Sequence, residues 1–134
     1  MSAKIDRPIF YKLVRDGIPN IRKVDGWIVE VMFPSTTILK QHYLGIKLAE
    51  ELNEVLSAKA KTEELEELAD LWAVYDAINQ RKIKINKILY NKVKDILERN
   101  LAFRRSEIEK VRQKKKEAKG EFDNLVVIVS ETRA

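Results

Sequence analysis

Two pairs of acidic residues carry the most chemistry in this sequence: Glu51 with Glu54, and Glu67 with Asp70. Within each pair the spacing is three residues, which on a helix means about one turn of rise and ~60° of rotation. Both pairs sit beside the apolar positions and not opposite them: Glu51 flanks Leu48 and Val55, and Glu67 flanks Leu71. If residues 59–61 let two helices fold back as an antiparallel hairpin, the four carboxylates converge. Carboxylates brought together repel one another unless a cation compensates them. Mg²⁺ is the natural candidate, hard and oxygen-seeking, with Mn²⁺ as a substitute. Such an ion neutralises phosphate charge and activates a water, while a spare carboxylate takes the proton. Glu50, Glu51 and Glu54 are the candidates for that proton transfer. Acidic pairs at this spacing are also common on solvated helix surfaces, and Glu63, Glu64 and Glu66 belong to such a surface.

The elements that would position these groups follow from period and punctuation. Residues 35–60 contain no breaker except Gly45, and Leu44, Leu48, Leu52 and Val55 mark one face of an amphipathic helix. Thr62 is the expected N-cap of a second helix, its hydroxyl accepting a free backbone N–H. Leu65, Leu68, Leu71, Trp72, Tyr75 and Ile78 form the apolar stripe of that helix, which should end near residues 80–83. Residues 83–101 are again helical in period. Ser106 and Glu109 make a capping-box pattern, so a fresh helix is expected there, stopping at Gly120. Residues 27–33, between Asp25-Gly26 and Pro34, and residues 124–129 read as short strands. A lone strand leaves backbone groups unpaired, so the two are expected to pair. Between residues 10 and 20, Gly17 and Pro19 argue against a long regular element and allow a short helical turn from Pro19. The expected fold is therefore mainly α, a helical bundle with a small β-pairing between N-terminal and C-terminal strands.

A chain of 134 residues fits one domain, and 45% hydrophobic with 35% charged residues is an ordinary globular composition. The absence of cysteine excludes disulfides, thiol catalysis and thiolate metal sites. Residues 1–6 lack the apolar core of a signal peptide, and no window approaches a membrane span, so a cytoplasmic protein with no membrane partner is expected. The net charge of +5 fits either a solvated lysine-rich face or attraction to a polyanion. Nothing supplies an aromatic-interleaved basic surface or a helix-turn-helix, which argues against nucleic acid as the partner. No Gly-rich phosphate loop is present, and the single histidine, His42, has no nearby nucleophile with which to form a triad.

Three segments together resemble a known family. Glu51-x-x-Glu54 followed by Glu67-x-x-Asp70 within Glu-Leu-Ala-Asp-Leu resembles the paired signature of the MazG-like nucleotide pyrophosphohydrolases, of the all-α nucleoside triphosphate pyrophosphatase superfamily. Tyr11-Lys12-Leu13-Val14-Arg15-Asp16-x-Ile18-Pro19 looks like the opening motif of its phosphoribosyl-ATP pyrophosphohydrolase-like branch. The run from Lys114 to Phe122 is similar to that branch's basic, glycine-containing ending before its last strand. The resemblance implies a single MazG-like domain over residues 1–134, with a helical insertion near residues 83–104. It implies Mg²⁺ ligation by Glu51, Glu54, Glu67 and Asp70, and cleavage of a nucleoside triphosphate between the α and β phosphates, in nucleotide-pool clean-up. It also implies a homodimer or homotetramer. Gly17 stands where relatives often have lysine, and Glu121 replaces the second glycine of the ending.

The basic residues acquire a reading from this. Lys12 and Arg15 near the start, with Lys116 and Lys119 near the end, could meet if the terminal strands pair, and there hold a phosphate chain. The alternative for Arg15 is a local ion pair with Asp16, and for the lysine run a solvated helix end. Asn79 is a candidate contact to sugar or phosphate. A rival to catalysis is a degenerate family member that binds nucleotides or a protein without turnover.

Overall fold

Residues 9–133 are described by the computed structural model, with the backbone alone at residues 9 and 101–103; residues 1–6, read above for a leader segment, lie outside this range. The element order is β1 (Ile9–Val14), α1 (Ile18–Val24), β2 (Trp27–Met32), α2 (Thr37–Ser57), α3 (Lys61–Gln80), α4 (Lys87–Lys119) and β3 (Val126–Arg133). The molecule is thus mainly helical, with one three-stranded antiparallel sheet in the order β1-β3-β2.

The expected pairing of the 27–33 and 124–129 strands is present as β2 with β3. The sequence reading missed β1, because Gly17 and Pro19 suppressed the whole stretch from residue 10. They act only after Val14: the strand ends there, and Pro19 enters the first turn of α1, where its missing N–H costs nothing. β3 is the central strand, and three consecutive residues, Val126, Val127 and Ile128, are buried. Val127 joins Leu13 in the helical core, while its neighbours turn to the other face of the sheet.

Among the helices, α2 is capped by Thr36, whose Oγ1 accepts the Leu39 N–H at 3.1 Å. Thr62 does not cap α3. That helix starts two residues earlier than such a cap would place it, at Lys61, and Glu63 instead accepts the Lys59 N–H at 2.8 Å, tying the link to the first turn. The third helical segment begins at Lys87, later than its period suggested, because the Asn86 side chain accepts the Leu89 N–H and fixes the start there. No fresh helix opens at Ser106. The chain continues through α4 with a kink at Arg104 (φ −133°, ψ 17°), whose side chain ion-pairs with Glu64 of α3. Glu109 bonds Arg105 at 3.0 Å and so does not close a capping box. Val93, Ile96 and Leu97, from the segment read as an insertion, are buried in the same core as α2 and α3.

The two chain ends meet where α1 begins. The Gly17 N–H donates to Lys119 O and the Asp16 N–H to Glu121 O, each at 2.8 Å. Asp16 accepts the backbone N–H groups of Asp123 and Asn124. A Cβ on Gly17 would lie 2.8 Å from the Lys119 carbonyl oxygen, too close for any ordinary contact. Gly120, at φ +75°, ends α4 in the conformation glycine tolerates best. Gly17→Ala is therefore expected to lose about 1–3 kcal/mol of stability by forcing backbone apart from backbone. A urea midpoint within error of wild type would show that the junction gives way freely.

Candidate metal centre

α2 and α3 form the hairpin that the acidic pairs require, joined by three residues. One oxygen each of Glu51, Glu67 and Asp70 lies within 4.8 Å of the others, and Glu50, Glu51 and Glu54 form a second group of the same span. Glu54 hydrogen-bonds Glu67, and the Asp70 charge acts on Glu51, which is the order an antiparallel hairpin imposes. The carboxylates are drawn inward because their positions adjoin buried leucines: Leu48, Leu52 and Leu68, Leu71 are all core residues. Glu51 is only 5% exposed.

Burial and like charge leave a signature. Burial first, then the nearby Asp70 and Glu54 charges, push the Glu51 carboxyl up to about 7 against the pull of Lys47. Glu67 is pushed up to about 8 by burial and by its hydrogen bond with Glu54. Among the described residues, Glu51 Oε2 and Glu67 Oε2 are buried carboxylate oxygens with no hydrogen-bond partner. Buried polar atoms are nearly always paired, so two such oxygens in one cluster are an exception, which a water or a cation between them would relieve.

The protein's own cations offset part of this charge. Lys47 Nζ lies 3.2 Å from Glu50 and 3.3 Å from Glu51. Asp70 accepts from Arg15 Nη2 at 2.7 Å on one oxygen and from Lys115 Nζ at 2.8 Å on the other. Arg15 also donates to Gly120 O at 2.8 Å and lies over the Phe122 ring. It pairs with Asp70 of α3, and not with its neighbour Asp16. A cleft of about 210 Å³ opens beside these groups, with Lys12, Arg15, Lys47, Glu51, Asp70 and Lys119 among its walls. Among the described residues, Arg15, Lys47 and Glu51 are the buried charged side chains, and all three face this cleft. Charged groups are almost never fully buried without pairing or function.

No family model, curated protein or solved structure matches this chain. What the centre can do follows from its own residues.

The structure brings Glu51, Glu54, Glu67 and Asp70 together, with Glu50 beside Lys12 and Lys47 on the rim. Lys12, Arg15 and Lys119 line the cleft as the pairing of the chain ends suggested. Two expected contacts do not. Lys116 lies one residue out of phase and lines a separate hollow of about 550 Å³ with Trp72 and Arg112. Asn79 accepts the Tyr90 hydroxyl at 2.7 Å and does not line the cleft. Two residues were overlooked. Lys47 sits inside the apolar stripe of α2, between Leu44 and Leu48, and stands three and four residues from Glu50 and Glu51; a lysine in such a stripe is the signal. Lys115 follows Ile108 and Val111 on the inward face of α4, at helical spacing. Glu121, the residue that departs from the family ending, is fixed by Arg112 at 2.7 Å and lines the same separate hollow as Lys116.

The raised carboxyls fix how stability depends on pH. A carboxyl whose folded-state pKa is raised favours the folded chain fully only below its ordinary value of 4.5, and that contribution is lost as pH climbs to about 7 for Glu51 and 8 for Glu67. In chelator, the Tm is expected to fall by on the order of 5 °C between pH 5 and pH 8. A divalent cation binding only the folded carboxylates should cancel the fall. Thermal unfolding at both pH values, with chelator and with Mg²⁺, checks this; a Tm indifferent to both would mean the carboxylates are neither crowded nor dry.

Among the described residues, no helix is long and apolar enough to cross a membrane.

Proposed function

We propose that this chain is a Mg²⁺-dependent nucleoside triphosphate pyrophosphohydrolase with the MazG-like fold, a cytoplasmic homo-oligomer cleaving its substrate between the α and β phosphates. The observation that carries the reading is the oxygen cluster of Glu51, Glu67 and Asp70, with two buried carboxylate oxygens lacking any hydrogen-bond partner, beside a cleft lined by cations of which Arg15 and Lys47 are buried.

The donor set fits the ion. It is all oxygen and all carboxylate, the chemistry a hard divalent cation prefers, and it contains no soft or imidazole ligand. Glu51, Glu54, Glu67 and Asp70 would hold Mg²⁺, which when bound supplies charge neutralisation for phosphate and a more acidic water. The bonds that Asp70 accepts from Arg15 and Lys115 do not exhaust it, since each carboxylate oxygen has two lone pairs. Lys12, Lys47 and Lys119 hold phosphate oxygens in the cleft and stabilise the charge that moves onto pyrophosphate. Glu50, outside the Glu51–Glu67–Asp70 trio and bonded to Lys47, is the carboxylate left to accept the proton of the attacking water. Arg15 positions Asp70.

A screen of common, deoxy and modified nucleoside triphosphates, with and without Mg²⁺, tests the reading. Pyrophosphate is expected from at least one nucleotide and only with Mg²⁺ or Mn²⁺. A second reading, a nucleotide-binding module without turnover, draws on the occupation of both Asp70 oxygens by Arg15 and Lys115. Calorimetric nucleotide binding with no product from any member of the panel would select it.

A further inference from the structure

Beside the phosphate cleft lies a second hollow, of about 230 Å³, built from β1 and α2. Its polar rim, Lys12, Lys47 and Glu50, is shared with or bonded to the first cleft; its walls are Phe10, Tyr11, Tyr43 and Ile46. Three of these apolar residues are well exposed: Phe10 is 48%, Tyr11 50% and Ile46 53% accessible. The exposure has a cause in the backbone. Ile9 pairs with Ser130 and Lys12 with Ile128, so Phe10 and Tyr11 together oppose the single residue Val129, a β-bulge. Tyr11 sits at φ +47°, a left-handed conformation that bulky residues rarely adopt. The chain therefore holds two adjacent aromatic residues outward, at a strained bulge, one residue before a lysine of the phosphate cleft. A regular strand would have alternated them between the two faces.

We propose that this hollow is the nucleoside subsite, in which the base of a nucleotide packs on the rings of Phe10 and Tyr11 while its phosphates run past Lys12 and Lys47 into the basic cleft. The inference deepens the nucleotide reading above and rests on it. Continuity decides the occupant: Lys12 and Lys47 belong to both hollows, so a ligand whose anionic end fills one has its other end in the other. The walls are apolar and aromatic, so the hollow offers ring faces to a base and few side-chain groups to read its edge. Stacking is available to every base. The substrate class is therefore an aromatic nucleoside triphosphate bound with little discrimination among bases.

The test uses the whole protein with Mg²⁺ and calorimetric titration of ATP, GTP, CTP and UTP against inorganic tripolyphosphate, which has phosphates and no base. The variant is Phe10→Ala with Tyr11→Gly; glycine suits the left-handed backbone at position 11, so the bulge survives. Each nucleotide is expected to bind about 10- to 100-fold more weakly to the variant, tripolyphosphate within about twofold, and Tyr11→Phe is expected to bind like wild type. Unchanged nucleotide affinity, equal loss for nucleotides and tripolyphosphate, or no binding of either to wild type overturns the subsite. So does a variant that falls from oligomer to monomer in sedimentation with nucleotide affinity retained, which would assign the rings to a second copy of the chain. If the expected pattern appears but wild type releases no pyrophosphate, hydrolysis fails and the nucleoside subsite stands.

Discussion

Under the proposed function, Glu67→Gln is expected to lower Mg²⁺-dependent pyrophosphate release by about 100- to 1,000-fold or more, while making the metal-free protein more stable at pH 8. The two effects share one cause. Glu67 is pushed up to about 8 first by burial, then by its hydrogen bond with Glu54 and by the charges of Glu54, Asp70 and Glu51. A neutral amide escapes the cost of ionising there, so the variant keeps at pH 8 the stability that wild type loses between its ordinary carboxyl value and about 8. The expected gain in chelator is on the order of 5 °C in Tm at pH 8, vanishing at pH 5, where the wild-type carboxyl is largely protonated. The amide also lacks the charge that attracts a divalent cation, so Mg²⁺ should no longer raise the Tm. Asp70→Asn should behave differently: it strips two cations of their partner and is expected to destabilise at both pH values. A Glu67→Gln protein that is fully active, or less stable than wild type at pH 8, would sink the cluster as the source of both properties.

Arg15→Ala is the substitution expected to cost most in stability. The guanidinium joins three parts of the chain: the end of β1, Asp70 of α3, and the Gly120 carbonyl that follows α4. At 7% exposure it is shielded from solvent, so its loss strands a half-buried carboxylate and a carbonyl rather than two solvated groups. Removing one partner of a buried pair typically costs 3–5 kcal/mol; Lys115 still neutralises Asp70, so the expected loss is about 3 kcal/mol. Arg15→Lys should recover only part of it, because a single ammonium cannot span both acceptors and stack on Phe122 as the planar fork does. Urea unfolding of Arg15→Ala, Asp70→Asn and the double variant gives the coupling energy directly. Coupling near zero would mean that the pair is incidental to the junction.

The sequence by itself determined the local pieces. The apolar stripes of α2 and α3, the hydrophobic runs of β2 and β3, and the side of each helix on which the acidic pairs fall are all properties of spacing along a chain of fixed geometry, so they can be read without knowing any partner. That includes the expectation that Glu51 and Glu54 would meet Glu67 and Asp70, since a three-residue link between two amphipathic helices leaves few alternatives. Tertiary structure decided what depends on contacts between distant residues. β1 exists because β3, more than a hundred residues away, supplies its hydrogen bonds, and the local breakers Gly17 and Pro19 concealed it. Whether Lys115 or Lys116 faces the cleft depends on the rotation of α4 about its axis, set by where Ile108 and Val111 are buried. Arg15 chose Asp70 over its own neighbour Asp16 because backbone amides of Asp123 and Asn124 had already claimed the latter. Periodicity shows which side of a helix is apolar; only packing sets which charged groups beside that stripe become enclosed, and enclosure is what shifts their chemistry.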